Sequence, residues 1–122
     1  MLQIKTKRGE QTITAGSAIS AYENRIELGL ETKRVLGYYV LIIKTGGLIP
    51  ESCQVTFSNA SRTLFDPIGL GHLIVGRNLK IRDRFYEDEP FEVNGFLNVK
   101  TSISAVPATD FVIQYVLLVE TT

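Results

Sequence analysis

Tryptophan is absent from this chain of 122 residues, and cysteine and histidine occur once each, as Cys53 and His72. One cysteine makes neither an internal disulfide framework nor a thiolate metal cluster. One histidine excludes centres that draw two or three imidazoles from a single chain. Neither sign of charge is in excess. The 13 basic and 13 acidic residues cancel, so no global field points to nucleic acid or an anionic membrane. Long apolar runs are missing as well. The two greatest, 35–43 and 111–119, fall far short of the roughly 20 residues a spanning helix needs. Residues 1–5 lack the apolar core of a signal peptide, so neither a membrane segment nor a secretory leader is expected. The unpaired thiol leaves the redox compartment open.

What the chain does contain is short-period alternation. Leu2, Ile4 and Thr6 alternate with Gln3, Lys5 and Lys7 and predict a strand ending at Arg8-Gly9, with a second fragment around Ile13. Residues 15–23 are the one candidate for a helical turn. Ile26, Leu28 and Leu30 form one face of a half-buried strand. Residues 34–44 read as a strand apolar on both faces, because β-branched residues and two tyrosines favour the pleated form over a short helix. Gly46 to Pro50 has loop chemistry. Cys53, Val55 and Phe57 alternate with Gln54, Thr56 and Ser58, a strand with one wet face. A turn at 59–62, a short strand at 63–65, a glycine-punctuated loop at 69–76 and a two-faced strand at 77–85 follow. The acidic run Glu87-Asp88-Glu89 before Pro90 ends that strand. Alternation then resumes from Phe91 to Ile103, and Pro107 to Asp110 turns the chain into 111–119.

That last stretch organises the rest. Phe111, Ile113, Tyr115, Leu117 and Val119 share one strand face, and Val112, Val116 and Leu118 make the other largely apolar. A strand covered on both sides belongs in mid-sheet. At roughly 1.5–3 kcal/mol per fully buried large side chain, its odd face alone is worth on the order of 10 kcal/mol gross. The pattern predicts an all-β domain over 1–122 with about eight or nine strands, a β-sandwich. Two-sided strands far apart in sequence meet in mid-sheet through Greek-key or jelly-roll connections, whereas a meander leaves its last strand at an edge. A single jelly roll is therefore the expected fold, with an immunoglobulin-like sandwich second.

No catalytic, cofactor-binding or metal-binding set emerges. Gly69, Gly71 and Gly76 miss the dinucleotide fingerprint because Ile74 holds the place of its third glycine, so a bent loop is the reading. His72 has no second imidazole, and Cys53 shares its face with Val55 and Phe57, as a buried thiol does. Asp83 and the acidic run lack the ligand order of a calcium loop, and Asn59-Ala60-Ser61 matches the glycosylation sequon without a secretory signal. The most informative polar feature is the stripe Lys80, Arg82 and Arg84, with Arg77 before it. Overall neutrality and the lack of interleaved aromatics argue against nucleic acid as its partner. Contact with Glu87, Asp88 and Glu89 of a neighbouring copy fits better. Tyr38 and Tyr39 point to opposite faces of one strand, which leaves one of them as a potential interface anchor.

The order of features resembles the small single-jelly-roll structural proteins of icosahedral bacterial viruses found at vertices or as minor capsid components. The features are the apolar strand 35–43, a Gly/Pro loop, Phe65-Asp66-Pro67, a basic strand ending in Arg84-Phe85-Tyr86 and an apolar final strand. That resemblance implies a virion subunit without an active site, assembling as a symmetric homo-oligomer with itself and other virion proteins through sheet edges and loops. The expected candidate interface is Tyr38, Tyr39, Lys80, Arg82, Arg84, Glu87, Asp88 and Glu89. The alternative is a β-sandwich ligand-binding module for carbohydrate or protein. Such a module usually displays Trp or Tyr platforms, and here Tyr86 is the loop aromatic available.

Overall fold

The computed structural model describes residues 3–59, 62–64, 67–74 and 86–122. Among them alternation produces eight strands: β1 (Gln3–Ile13), β2 (Ala21–Glu27), β3 (Thr32–Thr45), β4 (Gln54–Ser58), β5 (Ile68–Gly69), β6 (Tyr86–Glu92), β7 (Phe96–Ser102) and β8 (Phe111–Thr121). They form two four-stranded antiparallel sheets, ordered β1-β8-β3-β6 and β2-β7-β4-β5, that pack as a sandwich. The pairing is nested: β1 with β8, β2 with β7, β3 with β6 and β4 with β5. A long hairpin rolled upon itself has this connectivity, and it is a jelly roll. The two-sided strands are the ones in mid-sheet, since β8 lies between β1 and β3, and β3 between β8 and β6.

Five local expectations change. The two N-terminal fragments are one strand, because Gly9 does not end it. Gly9 pairs with Tyr115, and a Cβ there would lie 2.6–2.8 Å from three carbons of Ile26, so the glycine makes room for β2 to close over β1. Residues 15–23 form turns and bends and then enter β2, with no helix. Leu30 leaves its expected strand face and is exposed, because β2 ends at Glu27 and the chain turns toward β3. The run from Phe91 to Ile103 is two strands, separated by a turn in which Gly95 has φ of 83°. That turn carries the chain from β6 in one sheet to β7 in the other, and continuous alternation across Asn94-Gly95 masked the break. The acidic run likewise lies inside β6, where charge and Pro90 suit an edge strand that must not recruit another chain.

The core is shared by both sheets. Tyr38, Phe57 and Tyr115 stack edge to face across it, with ring centroids 5.2 Å and 5.6 Å apart, a favoured arrangement of ring quadrupoles. Around them pack Val35, Val40, Val55, Leu97, Val99, Phe111, Ile113 and Leu117. At the β1–β2 opening two side chains bridge the sheets without a strand ladder. Gln11 Nε2 donates to the Tyr22 carbonyl at 3.0 Å and Asn24 Nδ2 to the Glu10 carbonyl at 3.1 Å, so side chains occupy the backbone acceptors at the β1–β2 opening.

Candidate functional site

Strand register brings three loops of the described residues to one end of the roll, where the β5–β6 connection also begins. Ile13, Thr45 and Phe111 lie level in one sheet, as do Ala21, Gln54 and Ser102 in the other. The β1–β2 loop (14–20), the β3–β4 loop (46–53) and the β7–β8 loop (103–110) therefore all leave from the same end. They are tied together. Gly16 N donates to the Pro107 carbonyl at 2.9 Å, Ala108 N to the Gly46 carbonyl at 2.8 Å, and Ile103 N to the Ser20 carbonyl at 3.1 Å. Ala15 N donates to Asp110 Oδ1 at 3.0 Å, and the Ser52 and Ser104 hydroxyls meet at 2.7 Å. From this cross-linked end project Ile19, Ile49 and Val106, exposed to 61%, 67% and 53%. In sequence the three loops hold two charged residues, Glu51 and Asp110, and Asp110 is engaged with Ala15. Among the described residues these three loops are tied to one another and present aliphatic side chains.

The second feature is a groove of about 430 Å³ on the outer face of the β2-β7-β4-β5 sheet. Its floor follows from alternation: with Val55, Phe57, Leu97, Val99 and Thr101 turned inward and buried, Gln54, Thr56, Ser58, Asn98, Lys100 and Ser102 turn outward and line it with Glu23. Lys100 is the register partner of both Glu23 and Thr56, and Asn98 that of Arg25 and Ser58. Next to the groove the Arg25 guanidinium stacks 3.7 Å from the centre of the Phe96 ring. The wet face of β4 was legible in the sequence; its adjacency to the outer face of β7 was not, because the two strands are some forty positions apart.

The third feature is a polar chain inside the core. Thr101 Oγ1 donates to Gln11 Oε1 at 2.6 Å and lies 2.6 Å from the Tyr115 hydroxyl, which is itself 3.3 Å from Gln11 Oε1. All three residues are buried. Thr101 gives its one proton to Gln11, so the Tyr115 hydroxyl donates to Thr101 and the chain ends at the Tyr22 carbonyl through Gln11 Nε2. Burial pushes the Tyr115 hydroxyl above its ordinary value, and the neighbouring Cys53 thiol adds to this while the Thr101 bond opposes it. The chain joins β8 to β7, β1 and β2, and every hydroxyl in it has a partner, so it serves the fold. Single polar residues in alternating strands do not reveal such a cluster before the sheets are stacked.

The interface residues expected from sequence are placed as follows. Lys80, Arg82 and Arg84 lie outside the described residues, as does Arg77. Glu87, Asp88 and Glu89 belong to β6, and their side chains, with those of Tyr86 and His72, lie outside the described residues. Tyr38 and Tyr39 do take opposite faces, since Tyr38 joins the core cluster and Tyr39 does not. Both retain only 2% exposure, so neither is an accessible anchor, a correction that follows from the cover on both faces of β3. Cys53 is buried, with its thiol 3.8 Å from the Ile49 carbonyl. Among the described residues no cluster of three metal-ligating side chains occurs.

No protein-family model and no curated protein matches the sequence. Among solved structures, dimeric latent PorU from Porphyromonas gingivalis aligns with 98% of this chain at 10% identity and a TM-score of 0.48. The chain spans 13% of the length of that PorU chain.

Proposed function

We propose that this protein is a structural subunit that assembles as a symmetric homo-oligomer, a capsid or vertex component of an icosahedral bacterial virus. The observation that carries the reading is the loop-bound end bearing Ile19, Ile49 and Val106. Around a rotation axis each residue faces equivalent residues of its own copies. Like charges meeting there would repel, whereas aliphatic side chains such as Ile19, Ile49 and Val106 lose nothing by meeting their copies and gain from removing apolar area from water. Interface centres are depleted of charge in the same way. Because the loops are already hydrogen-bonded to one another, little conformational entropy is lost on docking. The jelly-roll connectivity agrees with the virion proteins that the sequence resembles.

The test is native mass spectrometry and light scattering of the wild-type protein beside an Ile19→Asp/Ile49→Asp/Val106→Asp variant. The expected outcome is a closed oligomer that falls to monomer in the variant with its strand content by circular dichroism unchanged, since these side chains are exposed in the protomer. A wild-type protein that stays monomeric at high concentration, or an oligomer that survives the triple substitution, overturns the reading. Cryo-imaging of native particles tests the virion assignment itself.

A further inference from the structure

We propose that the outer face of the β2-β7-β4-β5 sheet binds a neutral oligosaccharide, held across the groove by Glu23, Asn98 and Lys100 on one side and Gln54, Thr56 and Ser58 on the other. The inference stands apart from the assembly reading, because a free monomer and an assembled subunit can both present this face. The groove's volume of about 430 Å³ lies in the range of small-molecule sites, roughly 300–1,000 Å³. Eight of its ten lining residues, all but Val55 and Pro67, carry polar side chains, so hydrogen-bonding groups are at hand for a polar occupant.

The sheet backbone sets the first restriction on that occupant. Amides and carbonyls of β4 and β7 are consumed in the ladder, so an extended peptide finds no backbone edge here, and recognition falls to side chains. Charge sets the second. Glu23 and Lys100 stand opposite each other in register, yet they form no ion pair, and among the described residues Gln54, Ser58, Asn98 and Ser102 likewise engage no side-chain atom in an internal hydrogen bond. An anionic ligand would leave the Glu23 carboxylate facing like charge, and a cationic one would do the same to Lys100. A sugar hydroxyl meets both demands, because one such group donates to the carboxylate and another accepts from the ammonium. Asn98 and the Ser58 hydroxyl add donor and acceptor capacity beside them. The third restriction is shape: Pro67 at the rim offers apolar surface to the C–H face of a pyranose ring.

The experiment is a titration of the full chain, followed by backbone amide NMR shifts, with maltoheptaose, cellohexaose, laminarihexaose and chitohexaose as neutral probes and a galacturonate oligomer as the anionic control. The expected result is saturable binding of at least one neutral probe, with shifts centred on β4 and β7. Asn98→Ala and Lys100→Ala each weaken it by about tenfold, close to 1.4 kcal/mol, while melting temperature and oligomeric state stay as in the wild type. The proposal is overturned by the lack of saturable shifts with all four neutral probes, by shifts on another surface, or by binding indifferent to both variants. Tighter, salt-sensitive binding of the galacturonate oligomer overturns it as well. Since neither variant touches the loop-bound end, failure here and failure of the assembly reading register separately.

Discussion

Replacing Thr101 by Val and Tyr115 by Phe dissects the polar chain that crosses the core. Thr101→Val keeps the shape and removes a hydroxyl that both donates to Gln11 and accepts from Tyr115, each at 2.6 Å. The Tyr115 hydroxyl can turn to Gln11 Oε1, now 3.3 Å away, so no buried group is stranded, and the loss is about 1–2 kcal/mol. Tyr115→Phe leaves Thr101 still donating to Gln11 and costs about 1 kcal/mol. Both residues belong to one network, so the double variant should cost less than the sum, by about 0.5–1 kcal/mol. For a domain of this size that corresponds to single-variant shifts of roughly 4–8 °C. Alkaline pH adds an independent readout. The folded-state value of the Tyr115 hydroxyl lies above the ordinary 10.0, so above pH 10 the unfolded chain sheds a proton that the folded chain keeps. Its contribution to stability is therefore fully present below pH 10 and falls as pH rises beyond it, by up to about 1.4 kcal/mol per pH unit. Chemical denaturation of the wild type and Tyr115→Phe between pH 8 and roughly pH 11 should show curves that converge on the alkaline side. Parallel curves together with strictly additive single costs would refute the chain as a coupled, buried unit.

Two further outcomes follow from particular contacts. Gly9→Ala places a methyl within 2.8 Å of Ile26, which is buried and cannot swing away, so urea denaturation should show a loss of about 1–3 kcal/mol, and Gly9→Ala with Ile26→Ala should cost less than the two changes summed. If the basic stripe docks on the acidic run of a neighbouring copy, Arg82→Glu should weaken the oligomer at low salt and match the wild type at high salt; assembly unchanged across a salt series rejects that contact.

Element type and the central pair of strands could be read directly, since burial on both faces leaves a mark on most of 35–43 and 111–119, although Ile43 is exposed. The wet face of β4 and the buried thiol of Cys53 were equally legible, because a strand's own period of two decides them. Boundaries were less so. Gly9 and Gly95 are the same residue type in similar alternating surroundings, yet one continues a strand under Ile26 and the other turns the chain, and only the neighbouring strand distinguishes them. The surfaces that bear on function were the least visible. Ile19, Ile49 and Val106 sit in three loops whose common end is set by register, and Glu23, Thr56 and Lys100 form a row only when β2, β7 and β4 lie side by side.

The sequence by itself therefore determined that this is an all-β chain with two buried strands, because side-chain hydration is settled residue by residue along a strand. Only the folded roll shows the nested pairing, the polar chain from Tyr115 to Tyr22, the gathering of Ile19, Ile49 and Val106 at one end, and the groove. Each of these depends on which distant strands become neighbours, and that choice is made by the summed burial and pairing of the whole roll, not by any local run of residues.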